Sequence, residues 1–503
     1  MKKLLLLALL VMVRVVGSGA SAETAPIYVI LWFDTEDYML PASDDAALRV
    51  ASLLTERKVP ATFKVVGEKA RTLQRRGRSD VIRALKKHVI AYHSDFHSVH
   101  PTPSEYLADC GLLDGIAEFV RREGDGAADV RRIFKVKTLA CYGQPGSSWG
   151  AQAVAGLKQI GVAPHGVPCY VDEGTHIGLD EKPFWYTGAL NVYHMGGNYT
   201  RMDLHDPAAV EPARKKVSAI AERLRTKGGG LISIFYHPCE WVHQQFWDGV
   251  NFARGANPPR EEWKAPPQRT REETEGAFER FGQYVDHIKS IPGVKFITAS
   301  DLPELYPDKA REQVTSEEVA ELAHRILAST NGLNFQTVGQ KSFSLADQFE
   351  LLAQAGGIGP RKKETKFSVS AILGPDQACE SSGLERLSAT QFRDALADVR
   401  EFVKTHHRVP ARVFIGPDLV SPAKFLYAMA QARTPDTLFS GSFSLGPDRA
   451  ILPERYVAKD TPDLFGGWII HKDGFRAPKI LEIARLQTWT LKPALLKSSG
   501  AIR

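Results

Sequence analysis

Between Ile27 and Tyr306, short apolar runs alternate with longer segments whose apolar residues recur at helical spacing. The runs with the character of strands are 27–33, 62–67, 88–92, 135–142, 162–171, 231–236 and 293–298. The segments with the pattern of helices are 44–58, 68–76, 80–87, 149–160, 207–226 and 269–290. Strands that alternate with helices indicate parallel strands with helices outside them. About seven such units predict a barrel in preference to an open sheet.

Several predicted strands end in ionisable residues. The first is followed by the acidic turn 34–37, another by His93, His97 and His100, and a later one by His237. His93 and His97 are four residues apart, a spacing that lets two imidazoles converge on one point. This favours a metal site, with a histidine-rich surface loop as the alternative. Buried parallel strands that end this way present their chemistry at one rim of an α/β protein.

The first residues resemble a secretory signal peptide. A basic start is followed by the apolar run 4–13 and by the small residues 20–22, which form a cleavage pattern. The run is too short to span a bilayer and is followed closely by Arg14. Residues 1–22 are therefore predicted to be removed and the chain to be secreted or periplasmic. An uncleaved membrane anchor is the alternative, and no later segment has the length and apolarity of a membrane helix.

Charge and cysteine content narrow the function classes. The chain has 64 Lys and Arg against 58 Asp and Glu, and loss of Lys2, Lys3 and Arg14 lowers its net charge from +6 to +3. A nearly balanced charge gives no indication of nucleic-acid binding. The five cysteines have no CxxC spacing, and their odd number excludes complete intramolecular pairing.

Three motifs, in order, carry a resemblance to a known family. They are the acidic strand end 33–37 (FDTED), the His-(Ser/Thr)-x-x-His motif 93–97 (HSDFH) and the strand end 235–238 (FYHP). Residues 26–308 thereby resemble the polysaccharide deacetylases of the nodulation-protein-B type, carbohydrate esterase family 4. The resemblance implies a distorted (β/α)7 barrel.

The resemblance also implies a bound divalent metal. His93 and His97 would be ligands together with one carboxylate, and Zn²⁺ is favoured, with Co²⁺, Ni²⁺ or Mn²⁺ as alternatives. The family has two adjacent aspartates here, whereas this chain offers Glu36 or Asp37 after Asp34. Strand alternation directs Asp34 and Glu36 the same way, so Glu36 is preferred and Asp37 is the alternative.

By the same resemblance, Asp34 would be the general base and His237 the general acid of an acetyl-removing hydrolysis. Aromatic stretches near these motifs, at 183–186 and 241–247, are of the kind that stacks on sugar rings. Ordinary packing is the alternative for those rings.

One motif departs from the family pattern. The family has an arginine before its conserved proline, and this chain has Gly143 there, although it retains Pro145 and Gly146 for the oxyanion segment. Tyr142 or an arginine from elsewhere is a candidate to compensate. Asp172 is the candidate for the supporting aspartate of the family. The missing arginine leaves open a barrel that binds glycans without catalysis.

After residue 308 the strand and helix rhythm stops and an internal repeat begins. The segment 344–355 resembles 421–432, and the two copies span about 314–378 and 387–450. They resemble pseudomurein-binding repeats, which implies a cell-wall polymer as partner; a bracing or dimer-forming role is the alternative. The predicted division is a signal peptide at 1–22, a barrel at 23–308, and a mainly helical α+β repeat domain at 309–503 whose tail, 468–503, forms a helical cap.

These observations predict an exported, metal-dependent deacetylase that acts on an acetylated glycan. The alternatives are a catalytically silent glycan-binding protein and an amidohydrolase of a non-carbohydrate acyl amide.

Overall fold

The computed structural model describes residues 25–329, 331–356, 365–434, 441–446, 448 and 455–497. The predicted signal peptide lies outside these residues, as do parts of both predicted repeats. Among the helices that are described, none combines the length and the apolarity needed to cross a bilayer. All five cysteines are described, and each is a free thiol.

Eight strands belong to the N-terminal region. They are β1 (Ile27–Thr35), β2 (Thr62–Val65), β3 (Val89–Tyr92), β4 (Cys169–Val171), β5 (Phe184–Tyr186), β6 (Ala189–Val192), β7 (Gly230–Tyr236) and β8 (Val294–Ile297). Strand β1 pairs in parallel with β2, β7 and β8, and β2 pairs in parallel with β3. Single parallel bridges at Tyr142 link β3 to β4, which pairs in parallel with β6. Strand β5 pairs with β6 in the antiparallel direction.

Alternation along β1 shows that these strands curve around a common interior. Tyr28, Ile30 and Trp32 lie in one buried cluster with residues from β3, β4, β6 and β7. The intervening residues of β1 lie in a second cluster, which includes the helices. A sheet whose one face converges on itself while the other is covered by helices is a distorted α/β barrel, so the predicted fold class is confirmed.

Helices surround this barrel. They are α1 (Pro41–Glu56), α2 (Gly67–Arg75), α3 (Ser79–Leu85), α4 (Pro103–Leu107), α5 (Leu112–Phe134), α6 (Ala151–Gly156), α7 (Val210–Thr226), α8 (Trp247–Asn251), α9 (Arg271–Ser290) and α10 (Leu302–Leu305). Their starts follow local chemistry: the Thr270 hydroxyl accepts from the Glu273 N–H, and the Glu273 carboxylate accepts from the Thr270 N–H, which begins α9.

The C-terminal region has a core of its own, from Ala310 to Phe443 with Trp489. Its elements are β9 (Val314–Thr315), α11 (Ser316–Ala328), β10 (Gln336–Val338), β11 (Lys341–Phe343), α12 (Leu345–Ala355), β12 (Lys366–Phe367), β13 (Arg386–Ser388), α13 (Ala389–His406), β14 (Val413–Ile415), β15 (Asp418–Val420), α14 (Pro422–Gln431), β16 (Ser442–Ser444), α15 (Pro462–Gly466), α16 (Pro478–Gln487) and β17 (Lys492–Pro493). The order helix, hairpin, helix occurs twice, in α11 to α12 and in α13 to α14. A boundary at residue 308 stays a prediction.

The tail does not sit only on the repeats, as the predicted cap would. Phe465, Ile480, Ile483 and Leu491 are buried in the cluster that covers the barrel, whereas Trp489 lies in the C-terminal core. Strand β17 pairs with β5 of the barrel. The apolar face of α16 therefore finds its partner on the barrel, and this path brings the preceding segment to the barrel mouth.

Candidate metal centre

Glu36, His93 and His97 converge at the carboxyl ends of β1 and β3. Their ligand atoms lie within 4.8 Å of one another. His97 Nε2 is 2.9 Å from Glu36 Oε2, and His93 Nε2 is 3.6 Å from the same oxygen. All three residues are buried, with at most 4% of their surface exposed. The predicted pair of histidines and the preferred carboxylate thus meet at one point.

Each imidazole is oriented through its other ring nitrogen. His93 Nδ1 donates to the Gly143 carbonyl at 3.0 Å. His97 Nδ1 donates to the Ser98 hydroxyl at 2.5 Å, which in turn donates to Asp248 at 3.3 Å. Such contacts fix the tautomer and direct each Nε2 lone pair to a ligand.

The donor set fits a divalent metal. Within the described chain, His93 Nε2, His97 Nε2 and Glu36 Oε1 are buried without a hydrogen-bond partner. Buried polar atoms are normally paired, and metal coordination is one way in which such atoms are satisfied. Two neutral imidazoles and one carboxylate suit Zn²⁺ and similar transition metals.

Asp37, the alternative carboxylate, lies outside this cluster. Its Oδ2 is 3.5 Å from His243 Nδ1, and its backbone carbonyl accepts from Lys69 at 2.5 Å. The reason is the period of two along the extended chain, which directs Glu36 and Asp37 to opposite sides. His100 is also outside, because it contacts Glu105.

His237 faces the cluster from the end of β7. Its Nε2 lies 3.6 Å from Asp34 Oδ2 and 4.0 Å from Glu36 Oε2. Its Nδ1 is 2.6 Å from Glu240, which also contacts Arg201. Burial acts to lower the pKa of His237, but the charges of Glu36 and Glu240 outweigh it and raise the pKa to about 9.

Asp34 is paired with a buried cation. Lys64 Nζ lies 2.8 Å from Asp34 Oδ1 and 3.2 Å from Asp172 Oδ2. Asp172, the candidate supporting aspartate, is thus linked to Asp34 through this lysine. The other oxygen of Asp34 is the one that faces His237.

The candidate oxyanion segment follows Gly143. Gly146 has φ +47°, and a Cβ there would lie 2.2 Å from the Trp468 ring. Trp468 reaches this point from the C-terminal tail, and its ring is edge-on to His97 with centroids 5.5 Å apart. Pro145, which precedes Gly146, is buried, whereas Gly146 itself is exposed. A tryptophan from the tail thus forms one wall of the site.

The Tyr142 side chain points away from the barrel interior. Its ring lies in the outer cluster, edge-on to Phe119 and Tyr170. Its neighbour Cys141 faces the interior, as the alternation of side chains along an extended segment requires.

Sequence reasoning missed Lys64, Glu240, Asp248 and Trp468. Lys64 did leave a signal, since a single lysine interrupts the apolar run 62–66. A charged residue inside a buried strand needs a partner, and that need is visible before the structure is known. The other three acquire their meaning only from tertiary contacts.

No protein-family model matches the chain, and no curated protein matches it. Among solved structures, a family 4 acetyl xylan esterase from Clostridium thermocellum in complex with a cobalt ion is similar at 15% identity, over 56% of this chain and 91% of that one, with a TM-score of 0.29. A family 4 carbohydrate esterase from Streptomyces lividans in complex with acetate is similar at 14% identity, over 53% of this chain and 90% of that one, with a TM-score of 0.26. An allantoinase is similar at 12% identity, over 57% of this chain and 94% of that one, with a TM-score of 0.35.

Likenesses this distant do not extend to function. The fold and the site together define an α/β-barrel protein with a buried cluster of Glu36, His93 and His97 at the mouth of the barrel. Asp34 and His237 lie beside that cluster, with 3.6 Å between Asp34 Oδ2 and His237 Nε2.

Proposed function

We propose that the chain is a metal-dependent hydrolase that removes acetyl groups from a glycan. The observation that carries the proposal is the geometry of one buried cluster. Ligand atoms of Glu36, His93 and His97 lie within 4.8 Å of one another, and Asp34 and His237 flank them from two strand ends.

Glu36, His93 and His97 would hold the metal, with Zn²⁺ favoured and Co²⁺, Ni²⁺ or Mn²⁺ as alternatives. When bound, a divalent ion supplies Lewis acidity toward an acyl oxygen and lowers the pKa of a coordinated water. The Gly143 carbonyl and the Ser98 hydroxyl keep the two imidazoles in the tautomer that this requires.

Asp34 and His237 divide the proton transfers. Asp34 accepts a proton from the attacking water, and His237 donates one to the departing nitrogen or oxygen. The carboxylates of Glu240 and Asp34, which contact the His237 ring, favour the protonated form that a general acid needs. Glu240 accepts from His237 Nδ1, which leaves Nε2 as the proton-delivering atom.

Two aromatic rings support a sugar-containing substrate. Phe246 is 39% exposed and lies edge-on to His237, with centroids 4.9 Å apart. Trp468 stands on the other side, next to His97. Rings in such positions stack on the apolar faces of sugars. Export of the chain, and a wall polymer as partner of the repeats, belong to the same proposal and rest on the sequence alone.

The silent-binder alternative depended on the absence of a cation next to Asp34. Lys64 supplies that cation, which favours catalysis over binding alone.

The test is acetate release by the purified chain from a panel of N- and O-acetylated oligosaccharides. Metal-loaded and chelator-stripped protein are compared, with His237→Ala and His97→Ala as variants. His100→Ala is the matched control, because this histidine is in the same loop but contacts Glu105. We expect metal-dependent release that the control retains and both variants lose. Bound metal without release from any substrate would contradict the hydrolase, and no bound metal would contradict the site.

A further inference from the structure

Lys64 is a fully buried lysine at the centre of the barrel mouth. Its side chain is 0% exposed, and its Nζ lies 3.8 Å from the centroid of the Trp32 ring. Its neighbours Phe63 and Val65 lie in the outer cluster, so alternation along β2 turns Lys64 inward. Burying an ammonium group is costly unless partners surround it, so this position calls for a specific reason.

Three oxygens surround the Lys64 ammonium. It donates hydrogen bonds to Asp172 Oδ2 at 3.2 Å and to the Val171 carbonyl at 3.1 Å, and it forms an ion pair with Asp34 Oδ1 at 2.8 Å. Burial acts to lower the pKa of Lys64, but the charges of Asp172 and Asp34 outweigh it, so the group stays charged. It holds one oxygen of Asp34 and leaves the other directed at His237.

Gly143 provides the space for this arrangement. A Cβ built at Gly143 would lie 2.0 Å from Lys64 Nζ and 2.8 Å from Asp172 Oδ2. The backbone there needs no positive φ, so glycine is required by packing. Any side chain at position 143 would occupy the volume that the lysine ammonium fills. The cation beside Asp34 can come from residue 64 or from residue 143, but not from both.

We propose that Lys64 is the positioning residue of Asp34, and that the absent side chain of Gly143 leaves the space for it. The inference rests on the proposed function for its catalytic meaning. The claim about the ion pair itself rests on contacts within the chain and can be tested without turnover.

The decisive variant exchanges the two positions. Lys64→Met keeps the length of the side chain and removes its charge, and we expect kcat to fall about 100-fold with KM and metal content little changed. Gly143→Arg alone should also lose activity, because its side chain meets Lys64. Lys64→Ala combined with Gly143→Arg moves the cation to the other position, and we expect it to regain at least tenfold over Lys64→Met.

Lys492→Met is the matched control. Lys492 is also buried and paired with two aspartates, Asp308 and Asp347, but lies away from the cluster. We expect it to lower the unfolding midpoint and to leave kcat per folded molecule unchanged. Equal kcat loss in Lys492→Met and Lys64→Met would overturn the positioning role, as would a double variant no better than Lys64→Met.

A stability cycle separates this inference from the proposed function. Lys64→Met and Asp34→Asn are measured singly and together by thermal unfolding. If Lys64 holds Asp34, the double variant should lose less stability than the sum of the stability losses of the two single variants. Additive losses would overturn the inference even in an active enzyme. Coupling in a chain that releases no acetate would overturn the deacetylase and leave the Lys64 to Asp34 pair standing.

Discussion

Glu123 is a buried carboxyl group that connects helix α5 to the loop carrying His97. Its Oε2 accepts hydrogen bonds from the Tyr92 hydroxyl and from the Asp95 N–H, each 2.8 Å long. Its Oε1 accepts from the Tyr106 hydroxyl at 3.1 Å. The residue is only 4% exposed. The ionisation of this group should therefore affect the stability of the barrel.

Burial raises the pKa of Glu123 from 4.5 to about 7, the charge of Asp95 adds to the rise, and the bonds from Tyr92 and Tyr106 oppose it. Between these two values the folded protein binds more protons than the unfolded chain. The free energy of unfolding therefore falls as the pH rises through this window. At about 1.4 kcal/mol per pH unit, the loss reaches about 3 kcal/mol above pH 7.

Glu123→Gln removes the titrating group and keeps its shape. The amide oxygen can accept from Tyr92 and Asp95, and the Tyr106 hydroxyl can rotate to accept from the amide N–H. We expect the variant to be more stable than the wild-type chain by about 3 kcal/mol at pH 8 and nearly equal to it at pH 5.

Denaturant titrations followed by tryptophan fluorescence between pH 5 and pH 8 give the difference in midpoint. Glu118→Gln on the same helix is the matched control. Hydrogen bonds from Arg121 and Arg122 lower the pKa of Glu118 to about 2, so it does not titrate in this range. A difference between Glu123→Gln and wild type that is the same at pH 5 and pH 8 would refute the reasoning.

Two further predictions concern the aromatic residues. Trp468→Ala should raise KM for an acetylated oligosaccharide about tenfold or more through loss of stacking, with bound metal retained. The control is Ile469→Ala, at the exposed neighbouring position. An unchanged KM in Trp468→Ala would contradict the stacking role. Phe392 is buried and stacked on a second ring with centroids 4.3 Å apart. Phe392→Ala should lower the stability of the C-terminal core by about 3–5 kcal/mol in a denaturant titration. Phe414→Ala, at an exposed position, is the control and should have little effect. Equal losses of stability in the two variants would contradict the packing.

Local patterns predicted much of the barrel and of the cluster. The alternation of β1 favoured Glu36 over Asp37, and the structure brings Glu36 together with His93 and His97. A period of two is a property of the extended backbone itself. His93 and His97 were predicted to converge from their spacing in one short segment. These inferences needed only residues close together in sequence, where backbone geometry limits the outcomes.

Contacts between distant segments were beyond local patterns. One partner of Lys64, Asp172, is 108 residues away in the sequence. Which strands face each other across the barrel depends on how the whole sheet closes. Trp468 reaches Gly146 only because α16 finds its apolar surface on the barrel. The segment of Tyr142 pairs by single bridges, so its sequence gave no long alternation from which the orientation of this side chain could be predicted.

Gly143 takes part in one contact through its backbone and makes room for another through its lack of a side chain. Its carbonyl accepts from His93 Nδ1 and so sets the direction of one donor in the metal cluster. The space left by its absent side chain admits Lys64, which holds Asp34. The first contact would survive any substitution that keeps the backbone in place, whereas a Cβ at position 143 would force Lys64 to shift. A position that departs from the expected motif in the sequence is therefore, in the folded chain, the point at which the candidate metal centre meets the pair of Lys64 and Asp34.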